Sequence, residues 1–237
     1  MGGFLFTHKQ IMTNESPPTL ETARAVTLRT CEEQLAWIPK LVPTYKRAFA
    51  GEPWFEVSRC PACDSFTRLS PGDRCPTCRT KLVEAYSNQE VSEMLSAIFQ
   101  NRRATLYVET DARGNVLVAA IAYTWTKALI YEKKYRVKGR DSDELRRVLA
   151  EKAPEQFTWI DEIFADRALR ESGNLREFER IIKDMLRGKK SGTIVFRTIS
   201  PQLKEKAKRV FPQTEIYDVP DPKVPPGVSS LVIIRIT

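Results

Sequence analysis

The chain has 237 residues, 42% of them hydrophobic, and its 38 Lys and Arg outweigh 30 Asp and Glu for a formal net charge of +8. That length buries a substantial core, and no apolar run nears the roughly 18 residues of a membrane-crossing helix, so no membrane partner is expected. The basic balance admits nucleic acid, an acidic surface or a polyanionic small molecule, and selects none of them.

Residues 1–20 read as a flexible leader. The segment after Phe6 is too polar for a signal peptide, and Phe6 itself stands where a myristoylation signal needs Ser or Thr. From Ala23 to Thr30 the pattern alternates as a first strand. Cys31 to Gly51 follows as a helix with Leu35, Ile38, Leu41, Val42, Tyr45 and Phe49 on its apolar side, and Pro39 and Pro43 are expected to kink or break it. Cys31 reads as a small boundary residue, because the chain's one histidine, His8, lies in the leader and offers it no base. Ala48 to Val57 is a helix end running into an aromatic loop. Trp54 and Phe55 there suit either a packing plug or a pocket wall.

The most specific chemical signal follows, in RCPACDSFTRLSPGDRCPTCRTK. Cys60 and Cys63 form one C-x2-C knuckle, Cys75 and Cys78 a second, and SPGD supplies the turn between them. Two-residue spacing lets both sulfurs of a knuckle face one ion, and four thiolates make a closed tetrahedral set that suits structural Zn2+. Residues 58–81 are therefore expected as an inserted zinc ribbon, too small to fold without its metal. A redox pair and a rubredoxin-like iron site are the alternatives. Arg59, Arg68, Arg74 and Arg79 admit a nucleic-acid contact, though a ribbon used for structure or for a macromolecular protein partner is the favoured reading. Five cysteines, four in tight pairs, are not a disulfide scaffold and point to a reducing, cytoplasmic setting.

Ser87 to Asn101 reads as a second helix, capped by Ser87 or Asn88 with Glu90 near its third position. Arg103–Glu109 and Val116–Trp125 form a hairpin through DARGN. Lys127 to Pro154 is a charged excursion with a helix from Ser142. Phe157–Ala165 is a strand, and a polar turn, Arg167–Asn174, leads into an amphipathic helix bearing Leu175, Phe178, Ile181, Ile182, Met185 and Leu186. A strand, turn and helix in this order, with Gly and Arg in the turn, can hold an anion on unpaired backbone N–H groups; it is also how an ordinary βα unit looks. Gly192–Ile199 is a buried strand, Ser200–Phe211 a helix opened by Ser200 and Pro201, and Thr214–Val219 and Leu231–Ile236 are the last strands.

Apart from the two inserts, this order resembles the GNAT superfamily of acetyl-CoA-dependent N-acetyltransferases. The resemblance covers residues 21–57 and 82–237 apart from the charged excursion, and implies an α/β (α+β) fold with a mixed central sheet flanked by helices. EIFADRALRESGNL, Glu162 to Leu175, is similar to the family's strand and pyrophosphate loop, with Arg170 and Gly173 at the first and fourth positions of Arg/Gln-x-x-Gly-x-Gly/Ala. Leu175 stands where the family has a small residue. AFAGEPWFE resembles the loop that lines the acceptor side.

The resemblance implies acetyl-CoA as co-substrate and an amine of a small molecule or protein as acceptor. It places the pantetheine arm along the backbone of Phe164 and Ala165. It places the pyrophosphate on Arg170, Glu171, Ser172, Gly173, Asn174 and Leu175, and makes Glu162 the catalytic base. Asp161 and Glu162, being adjacent in a strand, are expected on opposite faces, so only one meets the acceptor. Phe211 falls where the family has a proton-donating Tyr, which leaves Tyr123 and Tyr217 as substitutes. Leu175 and Phe211 together motivate the alternative of a catalytically weak binding module; a nucleic-acid-associated ribbon protein is the other.

Overall fold

Periodicity of two and of 3.6 alternates along the chain, and the computed structural model resolves it into ten strands and five helices among the described residues, which are 24–51, 54–100, 104–126, 140–166, 169, 176–186, 192–219 and 229–236. In order they are β1 (Arg24–Leu28), α1 (Cys31–Ala50), β2 (Ser58–Arg59), β3 (Phe66–Thr67), β4 (Val83–Glu84), α2 (Asn88–Phe99), β5 (Ala104–Thr110), β6 (Val116–Thr126), α3 (Arg140–Lys152), β7 (Gln156–Ala165), α4 (Arg176–Leu186), β8 (Gly192–Thr198), α5 (Pro201–Val210), β9 (Thr214–Asp218) and β10 (Ser230–Ile236). The leader, the Arg170–Leu175 turn and most of the charged excursion lie outside the described residues.

Seven strands form one mixed sheet in the order β1-β5-β6-β7-β8-β10-β9, and β2, β3 and β4 make a separate three-stranded sheet around the cysteines. All neighbours in the large sheet run antiparallel except β7 and β8. That parallel ladder joins Thr158–Ile160 to Ile194–Phe196, while β7 carries on to Ala165 and β8 to Thr198. Past Ile160 the ladder gives way to an opening between two strands at the centre of the sheet.

The sheet is buried on both faces. One core gathers Ile38, Leu41, Tyr45 and Phe49 of α1, Val91, Leu95 and Phe99 of α2, and Leu145, Val148 and Leu149 of α3 against Trp159 and Phe164 of β7. The other packs Phe178, Ile181, Ile182 and Met185 of α4 and Ala207 of α5 against Ile160, Phe196 and Val232. Phe99, Leu95, Leu149 and Ile182 are wholly enclosed, so truncating any of these side chains to Ala costs about 2–5 kcal/mol.

Local signals account for the helix ends. Thr30 with Glu33, and Ser87 with Glu90, each form a reciprocal capping box, and Ser200 accepts from the Leu203 N–H ahead of Pro201. In the DARGN turn Asp111 accepts from the N–H groups of Arg113 and Asn115, and Gly114 takes φ +80, a conformation natural only to glycine.

Helix α1 does not break at its prolines. It runs continuously from Cys31 to Ala50, because Pro39 and Pro43 both face solvent, where water satisfies the carbonyls their missing N–H groups would have met. Leu35 is not part of its inward stripe but 37% exposed. Gln34 is buried in its stead, its amide donating at 3.0 Å to the carbonyls of Leu28 and Ala104 and so tying α1 to β1 and β5. Helix α3 begins at Arg140, ahead of Ser142, and the helix after β7 is described from Arg176, leaving Leu175 outside.

Candidate functional site

The two cysteine knuckles are built alike. In each, the residue after the second cysteine sends its N–H back to the carbonyl of the first: Asp64 to Cys60 at 2.8 Å, Arg79 to Cys75 at 2.9 Å. Each first cysteine donates its own N–H five residues on, Cys60 to Ser65 and Cys75 to Thr80. The closure forces Asp64 and Arg79 into the left-handed region, at φ 52 and φ 65. Gly72, at φ +97, makes the turn between the knuckles.

All four sulfurs then lie within 4.8 Å of one another, Cys60 and Cys75 buried, Cys63 and Cys78 exposed. Cys63 N–H reaches Cys60 Sγ at 3.4 Å, and Thr80 Oγ1 lies 3.3 Å from Cys78 Sγ. That hydroxyl, with the Thr80 backbone N–H, draws the Cys78 thiol down to about 6. Four thiols closed on one point, with donors already aimed at sulfur, fit a tetrahedral metal with no open position. Leu82 completes a small core with Cys60 and Cys75.

The ribbon is fixed between α1 and α2. Val57 and Thr67, and Ala85 and Val57, are joined by backbone bonds; Arg59 pairs with Glu90 at 2.8 Å; and Phe66 stacks on Tyr86 with ring centroids 5.5 Å apart. Three of its four arginines are engaged within the protein: Arg59 as above, Arg68 over the Phe55 ring at 3.8 Å, and Arg74 on the Arg79 carbonyl at 3.2 Å.

The second constellation lies on β7. Its register against β6 slips where Ile121 faces Glu162 and the next residue, Ala122, faces Ile160, so Asp161 is an extra residue, a β-bulge. The bulge reverses the alternation. Before it Trp159 points to the α1–α2 core and Ile160 to the opposite one; after it Phe164 joins Trp159, and Ile163 and Ala165 join Ile160. Glu162 therefore shares the face of Phe164. The expectation that Asp161 and Glu162 oppose one another fails for this reason. Asp161 also turns to the Trp159 side, its carboxylate accepting from the indole N–H at 3.3 Å.

Three tyrosines surround that face. Tyr45 of α1 meets Phe164 edge-on at 5.2 Å and Tyr86 edge-on at 5.6 Å, and Tyr123 of β6 is buried in the same core. Burial, followed by the Glu162 charge, raises the hydroxyl pKa of Tyr45 and of Tyr123 above the usual range. Tyr86 is raised by burial, then by its hydrogen bond to Glu56, with the Glu56 and Glu162 charges adding to it. Glu162 itself is partly exposed and sits two residues past the last rung of the β7–β8 ladder. It thus lies at the opening between the strands, with Phe164 and Ala165 beyond it.

Arg170, Glu171, Ser172, Gly173, Asn174 and Leu175 fall outside the described residues. Phe211 is the C-cap of α5 and is buried in the α4–α5 core, while Tyr217 stands on β9 beside Glu215 and Lys152, away from the Glu162 cluster. Tyr45, Tyr86 and Glu56 were not singled out by the sequence. They come from three separate segments, and only the packing of α1 and α2 brings them together.

No family model matches the chain, and no curated protein matches it. Solved structures do. An acetyltransferase described as a histone acetyltransferase and related acetyltransferase, from Corynebacterium glutamicum, is 10% identical, with 90% of this chain and 94% of that one covered at a TM-score of 0.51. A mosquito arylalkylamine N-acetyltransferase-like protein (12% identity, 90% and 100% covered, TM-score 0.49) and a Drosophila melanogaster polyamine N-acetyltransferase (13%, 90% and 99%, 0.47) are also similar. The first of these carries the comparison: the chain has the GNAT fold, with a four-cysteine cluster inserted between its first two helices.

Proposed function

We propose that the protein is an acetyl-CoA-dependent N-acetyltransferase in which Glu162 is the base. The observation that carries this reading is the position of Glu162: a bulge turns it to the α1–α2 face, beside three tyrosines, immediately beyond the last rung of the β7–β8 ladder. An extended thioester arm laid in that opening runs along the backbone of Phe164 and Ala165. Its pyrophosphate is assigned to Arg170–Leu175, which precede α4 in sequence, a helix whose N-terminal dipole favours an anion.

The chemistry asked of the protein is modest. Glu162 takes a proton from the acceptor's ammonium group, freeing the nitrogen lone pair. The nitrogen bonds to the acetyl carbonyl carbon, the carbon–sulfur bond breaks, and coenzyme A departs as a thiolate that takes up the second proton shed by the nitrogen, leaving an N-acetyl amine and coenzyme A thiol. A base of this kind supplies about 10²–10⁴-fold. Phe211 donates no proton, and Tyr123, buried in the same core and under the influence of the Glu162 charge, is the substitute the fold favours over Tyr217. Zn2+ held by Cys60, Cys63, Cys75 and Cys78 gives the ribbon its fold and needs a thiol-reducing compartment such as the cytoplasm. Residues 58–81 act as an insert in the transferase domain formed by 21–57 and 82–237, and shape the acceptor side. Among the described residues no helix is long and apolar enough to cross a membrane.

Acetyl-CoA binding tests the reading. At about 100 times its dissociation constant the ligand should raise unfolding stability by ~2.7 kcal/mol, read as a thermal or urea shift. Arg170→Ala should need more ligand for the same shift. No stabilisation of the intact, metal-replete protein by acetyl-CoA would overturn the proposal.

A further inference from the structure

A lone carboxylate is enough to deprotonate an amine, yet a second one is held beside the same rings. Glu56 follows α1, and its backbone is fixed from both sides. Its N–H bonds the Phe49 carbonyl at 2.8 Å, and the next residue, Val57, bonds Thr67 of the ribbon at 3.2 Å. The preceding residue, Phe55, is forced to φ 52, a left-handed conformation that a bulky side chain keeps only where the surroundings impose it. The ring so placed carries the Arg68 guanidinium at 3.8 Å. The Tyr86 hydroxyl donates to Glu56, and Tyr86 is wedged between Tyr45 and Phe66. Glu56 and Glu162 therefore act on the same two tyrosines, Tyr45 and Tyr86, from two stretches distant in sequence. Arg59, the cation whose charge also reaches Tyr86, is paired with Glu90 at 2.8 Å.

We propose that Glu56 recognises a second positive charge on the acceptor, so that the protein prefers a diamine-like dication to a monoamine. This rests on the transferase reading above and specifies its acceptor. A dication places one ammonium at Glu162 to lose its proton and leaves the other at Glu56, with the half-buried Tyr86 ring beside the methylene chain between. Aromatic faces attract cations as well as methylenes. Two carboxylates beside one set of rings favour a cation there. The ribbon holds Glu56 in position through Val57–Thr67 and Phe66–Tyr86, so it acts on acceptor choice without touching the reacting atoms.

The test compares 1,6-diaminohexane with hexylamine as acceptors for the intact, metal-replete protein at saturating acetyl-CoA. A charge-assisted contact predicts a kcat/KM about tenfold higher for the diamine. Glu56→Gln keeps an acceptor for the Tyr86 hydroxyl but removes the charge. It should bring the ratio of the two amines to about one, chiefly by raising KM for the diamine, and Glu56→Asp should restore part of it. Equal efficiency with both amines in the wild type, or a ratio unchanged in Glu56→Gln, overturns this inference and leaves the transferase reading standing. Transfer to neither amine, with acetyl-CoA unable to stabilise the protein, overturns both.

Discussion

Glu162 turns to the α1–α2 face because one extra residue, Asp161, is inserted opposite Ile121 and Ala122. The side chain's identity is in the sequence, but its face is not, because a bulge is a property of two strands in register. Without the partner strand, simple alternation sends Glu162 to the α4–α5 core. Glu162→Gln should lower kcat by about 10²–10⁴-fold while acetyl-CoA still stabilises the protein, which steady-state kinetics and a melting curve check together. The knuckles show the converse. Cysteine spacing made the four ligands legible, yet nothing in it marked Asp64 and Arg79 as left-handed. Arg79→Gly should relieve that conformation and raise the stability of the metal-loaded protein by up to about 1 kcal/mol, measured by urea unfolding.

Helices and strands were the most legible level, since capping and periodicity are local. Ser87 and Glu90 announced the start of α2, and Ser200 and Pro201 that of α5. Ser87→Ala should cost about 1 kcal/mol in urea unfolding. The Glu90 carboxyl is held below its ordinary range by the Ser87 backbone N–H first, then the Ser87 hydroxyl and Arg59. A carboxylate depressed in the folded state contributes stability above its unfolded pKa and loses it as pH falls through the folded value. Wild type and Glu90→Gln should therefore differ at neutral pH and converge on acidification. The break allowed for at Pro39 and Pro43 does not occur in helix α1, where both prolines lie on the exposed side, a placement set by packing.

At the scale of the molecule, strand order is non-local, and the sheet could be anticipated only through resemblance. The opening between β7 and β8, and the meeting of Glu56, Tyr86, Tyr45 and Glu162 around it, emerge once α1 and α2 clamp the ribbon. The ribbon is then coupled to the acceptor side and remote from the pyrophosphate turn in sequence. Removing the metal with a chelator should unfold the ribbon and raise KM for the acceptor, while acetyl-CoA continues to shift the melting curve; chelation that abolished acetyl-CoA binding would show the two parts to be one cooperative unit. The central claim is acetyl transfer with Glu162 as base, and it is met most directly by the rate of coenzyme A release from acetyl-CoA in the presence of an amine, followed across pH for wild type and Glu162→Gln. The account predicts turnover in the wild type, with the variant slower by about 10²-fold or more across that range. Equal turnover of the two proteins across that range would contradict it.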